Sequence, residues 1–308
     1  MLKHLTLGWS RLFTAIVLFV IIFGYSDTSA QKRVILEQFT GAWCGWCVDG
    51  SYVMDNIIAK YPDNFIGVKW HNGDGMQIVG YDTAASICMI SGFPMGSVCR
   101  AGVNVNGQVT RGLSRGAWEQ VTDQIVKATN VVDIEAFSSI NTSTREISVI
   151  VNATFNTFLQ GEARLNVYLC QDDVTGSGGA YDQHNYLSGR AGYENNPYYK
   201  LPGTITGYHH MKVVRFVLGG VFGAPNTITS TQAGAKNTAT FKYTIPATAT
   251  NASDKSSVID LSKLFVVATV NTYTSNWSNL EILNCCYATK GTPSSEVTMT
   301  DPPQGVKP

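Results

Sequence analysis

Charge is scarce and balanced in this sequence. Lys and Arg number 22, Asp and Glu 22, and the four together make up 14% of 308 residues. Without a basic surplus there is no electrostatic footprint for nucleic acid. Beyond Phe23 no run is apolar for the roughly 20 residues a spanning helix needs, and the many even strands of a membrane barrel are missing. No internal repeat is visible. One CxxC motif is present, but neither a second CxxC nor an HxxxH pair accompanies it, so half of the usual structural zinc site is lacking.

What is present begins with an export pattern. Lys3 and Arg11 precede the uncharged apolar run Leu12 to Phe23, and Thr28-Ser29-Ala30 follows. That order reads as a secretory signal peptide over residues 1–30. The next residue is Gln31 rather than Cys, so no lipoprotein anchor is expected. All seven cysteines lie beyond it. In an oxidising compartment thiols form disulfides or do redox work, and an odd number leaves at least one unpaired.

Along the chain, VILEQFT (34–40) reads as a buried strand and Cys44 to Tyr61 as a helix stopped by Pro62. FIGVKWH (65–71) is a second strand. Asp74 is placed to cap a helix running to about Ser91. Val98 to Val105 reads as a third strand, Asn106-Gly107 as a type I′ hairpin turn, and Ser114 as the cap of a last helix carrying Trp118, Val121, Ile125 and Val126. From Val131 onward the pattern is all strand: 131–137, 146–157, 163–171, 211–218, 237–245, 264–271 and 280–288. The expected architecture is an α/β domain over 31–130, a β-sandwich of jelly-roll or Ig-like type over 131–290, and a flexible tail over 291–308. Residues 172–209 are too long and too rich in Gly, Tyr and Asn for an ordinary loop, and such segments are functional or disordered.

Cys44-Gly45-Trp46-Cys47 carries the chemistry. A purely structural disulfide across two residues closes little chain entropy, which leaves redox exchange. Cys44 stands at a strand-to-helix junction, where free backbone N–H groups and the helix dipole favour a thiolate. Cys47, one turn on, can resolve a mixed disulfide. Trp43 and Trp46 would flank the sulfur as an apolar collar.

FTGAWCGWC after a buried strand, the βαβ unit and Pro94 before the next strand resemble the thioredoxin superfamily. The resemblance implies that Pro94 is cis and faces the dithiol, so that the backbone of Phe93 can pair with an extended substrate. The chain departs from the family at Gln38. Many thioredoxins carry a buried acid at that position, and its neighbour Glu37, on the other face of the strand, is the candidate substitute for proton transfer. More narrowly, LEQFTGAWCGWC, WHNGDGM, SGFPMGSVCR, YHHMKVVRFVLGGVFG and LEILNCCYA resemble the Bacteroidetes outer-membrane proteins named after a 28-kDa antigen. This implies a thioredoxin-like domain followed by a β-sandwich, exported to the envelope.

Other residues carry two readings each. His71 is either a proton carrier near the dithiol or a strand-end histidine beside a capping Asp74. Cys88 and Cys99 either pair across Pro94 or are small buried hydrophobes. Cys285 and Cys286 point to opposite faces of a strand, so only one of them, Cys285, is taken as the partner of Cys170. His184, His209 and His210 follow no ligand spacing, and no metal site is assigned. The tyrosines of 172–209 either form a contact surface or fold over the core.

The leading expectation is an exported thiol–disulfide oxidoreductase of the periplasm or outer membrane. It acts on protein thiols and disulfides without a cofactor and depends on a redox-recycling partner. It binds no nucleic acid, and any association with the envelope is peripheral. The alternative is a non-catalytic surface-binding protein that uses the β-sandwich and its long loop.

Overall fold

The computed structural model describes residues 32–250 and 256–291. The expected signal peptide and nearly all of the expected tail lie outside them. The chain runs β1 (Val34–Thr40), α1 (Cys47–Lys60), β2 (Phe65–His71), α2 (Tyr81–Ile87) and β3 (Met95–Val98). A hairpin of β4 (Val103–Val105) and β5 (Gln108–Thr110) follows, then β6 (Leu113–Ser114) and α3 (Trp118–Ile125). The second half comprises β7 (Val132–Asn141), β8 (Glu146–Phe155), β9 (Glu162–Gln171), the short pair β10 (Gln183–His184) and β11 (Thr204–Ile205), and β12 (Val213–Val217). It ends with β13 (Lys236–Thr244), β14 (Thr248–Thr250), β15 (Ser256–Val258), β16 (Leu264–Tyr273), β17 (Ile282–Tyr287) and β18 (Thr289–Lys290).

All seven strands read from the second half of the sequence are present. Their alternation is clean where one face is wet: in β8, Ile147, Val149, Val151, Ala153 and Phe155 are buried and their neighbours are not. The expected division at residue 130 does not separate two sheets, however. Eight strands form one sheet in the order β17-β16-β9-β12-β2-β1-β3-β6. Within it β1 and β2 are parallel and β3 is antiparallel to β1, while β12 joins parallel to β2 through Val213 and Lys69. Among the described residues, β13-β8-β7-β18 form a separate four-stranded sheet, beside the two-stranded pairs β4-β5, β10-β11 and β14-β15. The second core lies between that sheet and the β9-β16-β17 side of the large one, joining Val149, Val151, Leu165, Val167, Val266 and Cys286 among others. The C-terminal half therefore borrows one of its layers from a sheet it shares with the N-terminal half, and is not a self-contained sandwich.

Several local expectations change. The helix α1 starts at Cys47 with Trp46 as its N-cap, so Cys44 precedes the helix by two residues before the cap. Gly80, not Asp74, caps α2. The third strand breaks after Val98, because Cys99 and Arg100 adopt φ of 52° and 50°. This turn drives the Arg100 side chain inward, onto Glu37. The Asn106-Gly107 turn forms as read, with both φ positive.

Candidate active site: a disulfide beneath a loop

Cys44 and Cys47 are joined by a disulfide. Cys47 occupies the first position of α1, at the positive end of the helix dipole. Helix α1 lies close upon the β1 strand and Pro94. A Cβ placed on Gly50 would come within 2.9 Å of Gln38 Nε2 and 3.0 Å of Pro94 Cβ. The Phe93–Pro94 bond is cis, as the resemblance implied. Phe93 packs edge-on against Trp43 at 5.1 Å, and Trp43 donates through Nε1 to Asn72 O at 2.7 Å. This pair forms the open flank of the site, with Trp43 39% exposed.

The sulfurs are not open. Cys44 is 5% and Cys47 1% exposed. The cover is the long segment 172–209, which is ordered against the CxxC loop. His184 N donates to Ala42 O at 2.8 Å and Tyr186 N to Gly45 O at 2.9 Å. Gln183 Nε2 reaches Ala42 O at 3.1 Å and Cys44 O at 3.0 Å. The ring of Tyr186 lies so near Gly45 that a Cβ there would stand 2.4 Å from it, so only glycine fits under this cover. Asn196 Nδ2 donates to Asp49 Oδ1 at 3.0 Å and thereby fastens the far part of the loop to the first turn of α1. Trp46, expected in the collar, is committed to the cover: it packs against Tyr186 and Tyr193 and lies under Arg190 and Arg115.

Asp74 serves this loop too. Its Oδ2 accepts from Ala42 N at 2.8 Å and faces His71 Nδ1 at 2.7 Å, and its Oδ1 accepts from Met76 N at 2.9 Å. Burial alone would raise its carboxyl, but His71 and the two amides outweigh burial and hold it below the usual carboxylate range. His71 therefore holds Asp74, and its ring meets that of His210 at 5.2 Å. His210 donates through Nε2 to Tyr181 O, 2.7 Å away, and burial pushes its pKa down to about 3. His184 and His209 are exposed, the latter paired with Asp173, so the three loop histidines do not converge.

Glu37 is a buried structural charge with no path to the dithiol. Arg100 grips it through Nε at 2.7 Å and Nη2 at 2.8 Å, while Trp70 Nε1 and Tyr168 OH also donate to it at 3.1 and 3.2 Å. The face toward the dithiol belongs to Gln38 and to Lys69, its cross-strand neighbour. Gln38 Nε2 makes a long 3.5 Å contact with Cys47 O, and its Oε1 has no partner among the described residues. Lys69 Nζ donates to Ser51 Oγ at 2.7 Å, and Ser51 Oγ donates to Cys47 O at 3.2 Å. Burial lowers the Lys69 ammonium to about 8. A cation thus replaces the acid that the resemblance led one to seek. In FIGVKWH the sequence signal for Lys69 is a lysine inside an apolar strand.

The other five cysteines are buried thiols. Cys88 lies 3.9 Å from Glu37 Oε2 and not against Cys99. Cys170 and Cys285 stand on different strands with β16 between them and do not pair. Cys285 and Cys286 do face opposite cores. Burial pushes Cys88, Cys99 and Cys286 up to about 12 and holds Cys170 and Cys285 well above the usual thiol range, so these thiols stay protonated.

The strand order, the covered CxxC and the second sheet can now be set against known structures. The chain shares its fold with HBP35 of Porphyromonas gingivalis. The TM-score is 0.61 over 89% of this chain and 81% of that one, at 17% identity, so the likeness is one of fold alone. A protein of Agrobacterium tumefaciens aligns over 87% of this chain and all of its own, with a TM-score of 0.45 and 12% identity. A domain of the outer membrane lipoprotein Omp28 of Porphyromonas gingivalis aligns over 54% of this chain and 93% of its own, with a TM-score of 0.28 and 13% identity. No family model and no curated protein matches the chain.

Proposed function

We propose that the chain is an exported thiol–disulfide oxidoreductase of the cell envelope whose reactive disulfide is gated by the 183–196 segment. The observation that carries this reading is the placement of Cys47. It stands at the N-terminus of α1, where the helix dipole and the Lys69 ammonium, linked through Ser51 to the Cys47 carbonyl, favour its thiolate as a leaving group. A substrate thiolate attacks Cys44 Sγ, the Cys44–Cys47 bond breaks, and its electron pair leaves on Cys47. A second substrate thiol, losing its proton, then displaces Cys44, giving an oxidised substrate and a dithiol protein. The reverse sequence reduces a substrate disulfide. Phe93, Pro94 and the exposed face of Trp43 form the docking edge. The cover is held by bonds to carbonyls and to Asp49, none of them to sulfur, so it can lift without breaking the disulfide.

The 5% and 1% exposure of the two cysteines favours a second reading, a surface-binding protein with a permanently closed disulfide. A Cys47→Ser variant expressed in the producing cell separates the two. Mixed disulfides on Cys44, lost in a Cys44→Ser/Cys47→Ser control, support exchange. Absence of any such adduct, even after truncation of Tyr186, supports the closed form.

A further inference from the structure

Two guanidinium groups converge on the indole of Trp46, which lies between the two cysteines in the chain. Arg190 stands 4.6 Å and Arg115 5.2 Å from the ring centre. Arg115 is neutralised by its ion pair with Asp49. The other acids beside the disulfide are engaged as well. Asp74 holds Ala42 N and faces His71. Glu194, on the same segment as Arg190, accepts from Gly192 N at 2.9 Å. Arg190 differs from Arg115: it is exposed, and among the described residues its guanidinium has no ion pair and donates no hydrogen bond. The chain as a whole carries no net charge, with 22 basic and 22 acidic residues, so an unpaired cation at this place is not the spill of a general basic surplus.

The ring face of Trp46 attracts this guanidinium but leaves its N–H donors free. A planar fork of such donors matches a carboxylate. Arg190 also belongs to the cover, the segment that must lift before sulfur reacts. A carboxylate that takes the guanidinium therefore competes with Trp46 for it and loosens one of the contacts that hold the cover closed. The attacking species is a thiolate, itself an anion, and a second negative charge on the same substrate adds to its attraction to the site.

We infer that Arg190 selects acidic thiol substrates, cysteine-containing segments with carboxylates beside the reacting cysteine; this rests on the thiol–disulfide exchange proposed above. In the reaction two substrate thiols give two electrons and two protons to the Cys44–Cys47 pair and leave as their own disulfide. The test uses the purified, oxidised full chain and three blocked tripeptides, Glu-Cys-Glu, Gln-Cys-Gln and Lys-Cys-Lys. Rates of reduction of the pair are compared per thiolate, which removes differences in peptide thiol pKa. The acidic peptide should react about fivefold faster than the basic one at low salt, and the ratio should fall towards one in 1 M NaCl as screening sets in. Arg190→Gln should cut that ratio about threefold and Arg190→Glu should reverse the order. Loss of the clamp on Trp46 alone would raise all three rates together and leave the ratio where it was, so the ratio reads charge and not opening. An unchanged ratio in Arg190→Gln overturns the inference, as does a parent protein that reacts with all three peptides equally or with the basic one fastest; in each case exchange itself still stands. If none of the peptides reduces the pair, in the parent or in Tyr186→Ala, the exchange reading fails and this inference fails with it.

Discussion

Replacing Gln183 with alanine should speed reduction of the Cys44–Cys47 disulfide about thirty-fold. The side chain amide of Gln183 donates to Ala42 O at 3.1 Å and Cys44 O at 3.0 Å, and it is the one side chain of the cover bonded directly to the CxxC backbone on both sides of Trp43. Each such bond contributes about 1 kcal/mol net. Losing both makes opening easier by about 2 kcal/mol, and each 1.4 kcal/mol is a factor of about ten. Both carbonyls keep a second donor, His184 N on Ala42 and Cys47 N on Cys44, so neither is orphaned and the CxxC turn should keep its shape. If a reductant reaches sulfur only when the cover is lifted, the rate follows the open population and rises by the same factor. The assay is the rate at which two thiols become labelled by a maleimide during dithiothreitol treatment, at a temperature well below melting for both proteins. A variant rate within threefold of the parent would show that the loop does not gate the disulfide.

Three further outcomes follow from the same geometry. Lys69→Met should raise the pKa of the reduced Cys47 thiol by about one unit, since an opposite charge nearby shifts a pKa by about 1–3; ultraviolet thiolate absorbance in a Cys44→Ser background reads it, and an unchanged value would remove Lys69 from the site. Acid should weaken the fold through His210: its folded pKa of about 3 lies below the unfolded value, so the unfolded chain binds the extra proton and stability falls as pH drops from 6.5 towards 3. At pH 5 that loss is about 2 kcal/mol, seen as a lower urea midpoint and largely absent in His210→Gln, which keeps a donor for Tyr181 O. Arg100→Met should cost about 3–5 kcal/mol of stability by stranding Glu37, while Glu37→Gln should leave the Cys47 pKa where it is; a shift there would restore Glu37 as the proton acceptor.

What could be read from residues alone was what local pattern encodes. The β-branched alternation of 147–155 gave its strand, Asn106-Gly107 its turn, and the CxxC spacing its disulfide. Contacts made far along the chain were not legible. Nothing in FIGVKWH or KVVRFV says that Lys69 and Val213 pair and fuse two halves into one sheet. The cover over the dithiol rests in part on backbone bonds from residues 184 and 186 to 42 and 45, which carry no side-chain signature. Trp46 reads from its position as part of a substrate collar, but it packs against Tyr186 and Tyr193 of the loop. The two left-handed residues Cys99 and Arg100 hid the Glu37 ion pair, because a strand running straight through them points Arg100 elsewhere. The signals that were overlooked are alike: Lys69 and Arg215 are each a single cation inside an apolar strand, where an ordinary solvent-facing role is excluded.

The central claim is that Cys44–Cys47 exchanges electrons with protein thiols under the control of its cover. Equilibration of the purified chain with glutathione and dithiothreitol buffers, followed by counting of maleimide-labelled Cys44 and Cys47, measures the reduction potential of the pair. The account predicts a value above about −300 mV, in the range of exchanging dithiols. A value well below about −300 mV, typical of inert structural disulfides, would contradict it.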